Sequence, residues 1–145
     1  MTTHTLAQGT RSSAVLALST LASGTYICSS AIDLGATIPV DVTFEMECNP
    51  NGSTTGNKQL VLFAKFSLDN TNYGTGPESG TTTTEEADLH FVGALPTVDT
   101  NDHRKFFKFE GLPVTRYLKL VAKNDMGVAL TSGNVYRADI TGVTT

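Results

Sequence analysis

Val40-Asp41-Val42-Thr43-Phe44-Glu45-Met46-Glu47-Cys48 sets apolar and polar side chains in strict alternation, the period-two signature of a strand with one dry face. Residues 58–69 repeat the pattern, with Leu60, Leu62, Ala64, Phe66 and Leu68 on one side and Val61, Phe63, Lys65 and Ser67 on the other. The second face of that arm is therefore mixed. Between the arms lies Asn49-Pro50-Asn51-Gly52-Ser53-Thr54-Thr55-Gly56-Asn57, built from residues that accept turn dihedrals and lack an apolar face. The two arms, residues 38–69, are expected to pair as antiparallel neighbours at the centre of a sheet.

Working outward, residues 25–34 read as a strand closed by Gly35. Residues 85–92 form another, ended by Gly93, and residues 105–110 and 116–124 are two more. Asn124-Asp125-Met126-Gly127 is a turn, 128–130 a short strand, Ser132-Gly133-Asn134 a second turn, and 135–142 a closing strand. The pattern predicts an all-β chain: a β-sandwich of about eight antiparallel strands, jelly-roll-like, with an N-terminal arm. Core positions include Val42, Phe44, Leu60, Leu62, Phe66, Leu118 and Leu120. An immunoglobulin-like sandwich is the runner-up, and it lacks its Cys-Trp-Cys hallmark because the chain has no Trp.

Residues 1–24 read as the arm and residues 25–145 as the sandwich. The arm is rich in Thr, Ser, Ala and Leu. It is either a disordered leader or, because Val15, Leu16, Leu18 and Leu21 are too apolar to float free, a segment docked on the domain or on a neighbouring subunit. The second irregular stretch, residues 70–86, is too long and polar for a mere connector, and Tyr73 is its one large side chain. Val15, Leu16, Leu18, Leu21, Asn72 and Tyr73 are accordingly the expected partner contacts.

A net charge of -4 gives the long-range field the wrong sign for nonspecific attraction to nucleic acid or anionic membrane. No apolar run approaches the roughly 20 residues that span a bilayer, and the run Ala14-Val15-Leu16-Ala17-Leu18 lacks the preceding positive cluster of a signal peptide. Cys28 and Cys48 are expected to be free thiols acting as small apolar residues, since a domain of this length needs no staple.

Chemistry-bearing clusters are thin. Asp99, Asn101 and Glu110 have the spacing of a calcium loop, yet Arg104 stands where glycine is required and a strand follows. Asp69, Asn70 and Asn72 form a looser oxygen cluster. His4, His90 and His103 lack ligand-spaced neighbours, so neither metal nor cofactor is expected. Arg104, Lys105, Lys108, Arg116, Lys119 and Lys123 interleave with Phe106, Phe107, Phe109 and Tyr117. They read either as a nucleic-acid platform or, preferably, as cross-strand partners of Asp41, Glu45 and Glu47. No nucleophile elbow, phosphate loop, zinc helix or dinucleotide fingerprint occurs, so an enzyme is not expected.

Leu112-Pro113-Val114-Thr115-Arg116-Tyr117-Leu118-Lys119-Leu120-Val121-Ala122-Lys123-Asn124-Asp125-Met126-Gly127-Val128-Ala129-Leu130 resembles a segment of small structural proteins of tailed bacteriophages, in which "RYLKL", a polar turn and "G-x-A-L" precede a last strand. Size, sandwich pattern and apolar arm are similar to those of capsid decoration, or cement, proteins. The resemblance implies a virion protein, made in the host cytoplasm, that binds the outside of a capsid and stabilises contacts between major capsid subunits. It also implies a homo-oligomer, dimer or trimer, and no catalytic residues. The alternative from the residues is a carbohydrate- or receptor-binding module of a tail or secreted protein, with Tyr73 as its aromatic.

Overall fold

The computed structural model describes residues 4–144, so the first three residues of the expected arm lie outside it. Eleven strands and one 3-10 turn follow in order: β1 His4–Gln8, β2 Leu16–Ala17, β3 Tyr26–Cys28, β4 Ile32–Asp33, β5 Asp41–Pro50, β6 Gln59–Ser67, β7 Ser79–Gly80, the turn Glu86–Asp88, β8 His90–Pro96, β9 His103–Lys108, β10 Tyr117–Asn124 and β11 Leu130–Thr144. They build two antiparallel sheets, β1-β11-β5-β9 with β2 also on β11, and β7-β3-β10-β6-β8 with β4 also on β10.

The chain is all-β, as the alternation requires. β1 and β2 follow one another along one flank of β11, and β3 and β4 along one flank of β10. With each pair joined and the two-residue β7 set aside, eight strands remain. The first pairs with the last, the second with the seventh, the third with the sixth and the fourth with the fifth. That is one long antiparallel ribbon rolled on itself, the winding of a jelly roll.

This winding corrects the expected central hairpin. β5 pairs with β11 and β9, while β6 pairs with β10 and β8. The two arms face each other across the core from opposite sheets, because consecutive strands of the rolled ribbon change sheet at every turn except the one that joins the fourth to the fifth. Their dry faces are as read except for Val40 and Leu68, which are exposed: Val42, Phe44, Met46 and Cys48 meet Leu60, Leu62, Ala64, Leu118 and Leu120 in one cluster, with Phe66 packed against it.

Other departures have local causes. β8 runs through Gly93 to Pro96, because that glycine is a close approach and not a stop: a Cβ there would overlap the Phe107 ring of β9. Gly133 likewise lies inside β11, where a Cβ would come within 2.9 Å of the Glu47 carbonyl oxygen. Small residues at crowded strand crossings imitate turn punctuation. Residues 86–88 form the 3-10 turn instead of opening a strand.

The expected arm belongs to the sandwich over its described length. Leu16, Leu18 and Leu21 are buried in the inter-sheet cluster, with Val15 packed against it. A side chain already filling the core is not presented to a partner by the folded chain, so these leucines drop out of the candidate surface. The stretch 70–86 is also committed. It crosses the outer face of the β10 sheet, where Glu78 takes the Lys65 ammonium at 2.7 Å and Glu86 takes that of Lys123 at 2.8 Å. Beneath it Tyr26, Val61, Phe63, Leu89 and Val121 form a second apolar cluster. The loop's own acids, which the search for apolar residues ignored, supply its docking.

Candidate functional site

The rolled ribbon puts its loops at two ends. At one end, loops 18–25, 51–58, 97–102 and 125–129 are tied together by hydrogen bonds. Asn124, fully buried, is the hub: its side-chain amide donates to the Leu21 and Val128 carbonyls at 2.9 and 2.8 Å, and its carbonyl oxygen accepts the Met126 N–H at 2.9 Å. The Thr54 hydroxyl donates to the Thr97 carbonyl at 2.6 Å, and the Thr55 N–H to the Met126 carbonyl at 2.7 Å.

The other end, formed by loops 34–40, 68–78 and 109–116 with the outer parts of β1 and β11, is built differently. Its floor is a row of rings. Phe109 lies 4.8 Å from Phe44 and 5.5 Å from Phe66, and Phe66 lies 5.1 Å from His90. Above that floor Ile38, Pro39 and Val40 of one loop and Leu112, Pro113 and Val114 of another line a shallow apolar cleft, and Leu68 and Pro113 line the recess beside it. Leu68 is 88% exposed, Val114 79% and Val40 67%, while β1 adds Leu6 at 68%. Of the nine large hydrophobic side chains exposed among the described residues, Leu6, Ile38, Val40, Leu68, Val114 and Val143 belong to this end. Soluble chains seldom gather such residues without a use for them.

The rim holds the cleft in shape. The Arg116 guanidinium grips both Asp33 carboxylate oxygens at 2.7 and 2.8 Å, and the Gly35 N–H donates to the same carboxylate at 2.7 Å. The Arg116 hydrogen bond first, and the Gly35 N–H second, hold the Asp33 carboxyl down at about 2. Across the cleft the Asp69 carboxylate accepts the backbone N–H groups of Thr71 and Asn72 at 2.9 and 2.8 Å, the Asn72 amide at 2.7 Å and the Ser67 hydroxyl at 3.0 Å. These donors, the Asn72 N–H foremost, hold it far below the usual carboxylate range.

Of the sequence-predicted contacts, Asn72 lines the recess beside this cleft, and Tyr73 follows it in the chain. The Tyr73 hydroxyl donates to Asn70 Oδ1 at 2.6 Å, and Lys119 Nζ stands 4.8 Å from the ring centre. The arm residues Val15, Leu16, Leu18 and Leu21 are not brought there. Sequence reasoning missed Val40 and Leu68 because they continue the apolar phase of β5 and β6 one residue past the ends of those strands, and it missed Ile38 and Val114 as residues of turns. The available signal was Leu112 and Val114 flanking Pro113, apolar residues in a segment that turns.

The basic cluster resolves as paired charge. Arg104 bridges Glu45 and Glu47 at 3.0 and 2.6 Å, Arg116 takes Asp33, Lys119 lies 3.5 Å from Glu78, and Lys123 takes Glu86. Arg104, Lys105 and Lys108 stand on one sheet and Lys119 and Lys123 on the other, so they make no single platform. Arg11 joins the first group at 2.7 Å from Glu45, its guanidinium 3.3 Å from the centre of the Tyr136 ring.

Both thiols are free. Burial pushes Cys28 up to about 11 and Cys48 to about 12, which leaves them as packing groups and not nucleophiles. Among the described residues no three His, Cys, Asp or Glu side chains gather as a metal set. Asp99 instead accepts the Asn101 N–H at 2.8 Å, and Glu110 pairs with Lys108 at 2.9 Å. No protein-family model matches the chain, and no curated protein matches it either.

Proposed function

We propose that this chain is a non-catalytic structural protein that docks its open, apolar end on a protein surface, and that the surface is the outside of a phage capsid, where it stabilises contacts between major capsid subunits. The observation that carries the reading is the gathering of Leu6, Ile38, Val40, Leu68 and Val114 at one end of a jelly roll whose opposite end is tied by hydrogen bonds. An apolar patch framed by the Asp33–Arg116 pair and the Asp69 turn has the layout of a protein interface, a dry centre with a polar rim. The capsid as partner rests on the resemblance of the 112–130 segment to phage structural proteins. The carbohydrate alternative leans on Tyr73, whose hydroxyl is engaged by Asn70 and whose ring carries Lys119.

Particles purified from a phage carrying this gene test the reading. The wild-type chain should co-sediment with them in fixed ratio to the major capsid protein, and a Leu68→Lys/Val114→Lys chain should be lost. Absence of the wild-type chain from the particles overturns the capsid assignment. Retention of the double variant overturns the role of this end.

A further inference from the structure

β1 has one flank of its backbone to spare. Its residues pair with Ile140 to Thr144 of β11, whereas β11 meets β5 only as far as Ile140, opposite Asp41. Past that point the sheet has thinned to two strands, and every residue of β1 is exposed. A two-stranded ribbon is marginal in water. The Gly9 N–H donates to the Asp139 carbonyl at 2.8 Å, and hydrogen bonding alternates along an antiparallel ladder. Ala7 therefore also bonds to β11, and Leu6 and Gln8 turn their N–H and C=O groups to the outer flank.

Sheet edges are normally guarded by charge, proline or brevity. Here β9 carries Arg104, Lys105 and Lys108, β8 closes on Pro96, and β7 has only two residues. Thr5-Leu6-Ala7-Gln8-Gly9-Thr10 has neither charge nor proline.

We infer that β1 is a self-association edge that pairs antiparallel with β1 of a second copy, joining two β11 sheets into one. The second copy is the occupant that the strand's chemistry fits. Uncharged residues 5–10 give an oppositely charged partner nothing to select, and they set no like charge against their own image. In the register centred on Ala7, the outward groups of Leu6 meet those of the second copy's Gln8. Ala7 then meets its own mate at the close, non-hydrogen-bonded position, where a small side chain fits. Such a two-fold contact is self-complementary and closes at a dimer. A strand pair this short falls below the roughly 1,200 Å² of stable interfaces, so association is weak in dilute solution. The inference stands on the edge of β1 and holds whether or not the capsid reading does.

Sedimentation equilibrium of the purified full chain, from about 10 μM to about 1 mM, tests it. The weight-average mass should climb from the monomer's 15.4 kDa toward twice that value. Leu6→Pro removes an outward N–H and leaves the β11 ladder intact, so it should stay monomeric over the same range. Gln8→Lys, a guard charge, should do the same and carries the test if the proline variant misfolds. A wild-type chain that stays at the monomer mass throughout, or a folded variant that associates as the wild type does, overturns the inference.

Discussion

The two ends of this sandwich are made by the same roll of chain and closed in opposite ways. At the tied end, polar groups point inward and, the Thr97 hydroxyl excepted, are matched: Asn124 alone bonds to Leu21, Val128 and Met126, and Leu18 and Met126 are fully buried there. At the other end the polar groups are spent within or between adjoining segments, as in the Asp33–Arg116 pair and the Asp69 turn, and the apolar side chains above the aromatic floor stay outside. Burying a polar group demands a partner for it, so hydrogen bonds gather where loops close over the core. Where apolar groups face water instead, the fold is indifferent to them, and on the proposed reading they are there to bind.

The largest expected effect concerns the closed end and its flank. Deleting residues 1–22 removes Leu16, Leu18 and Leu21 from the core, at about 1.5–3 kcal/mol each. The sum rivals the roughly 5–15 kcal/mol that holds a domain of this kind together. The truncated chain should lack a cooperative melt in circular dichroism. A folded product with near-wild-type stability would return these residues to the status of a separable arm.

Next in size is Asn124→Ala. It strands the Met126 N–H and the Val128 carbonyl, while the Leu21 carbonyl keeps the Leu130 N–H at 3.0 Å, and each stranded group costs about 1–3 kcal/mol. A loss of about 2 kcal/mol or more is expected in urea titration. A loss under about 1 kcal/mol would mean that water or neighbouring backbone replaces the hub, and would erase the contrast between the ends.

A smaller effect separates the ends by pH. Asp33 is held down at about 2 by Arg116 and the Gly35 N–H, against an ordinary aspartate near 3.9. Because its folded-state value is depressed, its contribution is complete above the unfolded value and is lost as pH falls through about 2. Carboxyl chemical shifts should give a midpoint there. Arg116→Gln should raise it toward the ordinary value, and an unchanged midpoint would show that the pair does not frame the cleft. Asn124, at the other end, has no proton to gain in this range.

These contrasts also mark what the sequence could reveal. Period-two alternation in residues 40–48 and 58–69 made the inward faces of β5 and β6 readable, since side-chain direction follows from the pleat alone. It carried no information on which strand lies alongside, so two arms that belong to opposite sheets looked like a hairpin. Gly93 and Gly133 are small because Phe107 and the β5 backbone press on them, a long-range cause with the same local letter as a turn. Leu16, Leu18 and Leu21 were visible as too apolar to float, yet only the pairing of β2 with β11 says what they dock on. Leu68 was invisible as a site residue because its phase is correct for the core. What differs is that nothing in the fold covers it, and it is 88% exposed.

That last point makes the smallest stability effect the most informative about the open end. Leu68 and Val114 are 88% and 79% exposed, so replacing both by serine removes little buried apolar surface, and substitutions at such places usually stay within about 0.5 kcal/mol. The Leu68→Ser/Val114→Ser chain should melt with the wild type. On the proposed reading it should nevertheless bind particles more weakly, because the apolar area it gives up is buried only in the complex, at about 25 cal/mol per Å². The two measurements pull apart only if this end is uncovered in the free chain and covered in use. A matched loss of stability above about 1 kcal/mol would mean that Leu68 and Val114 already pack within the free protein, and the two ends would then differ in chemistry but not in closure.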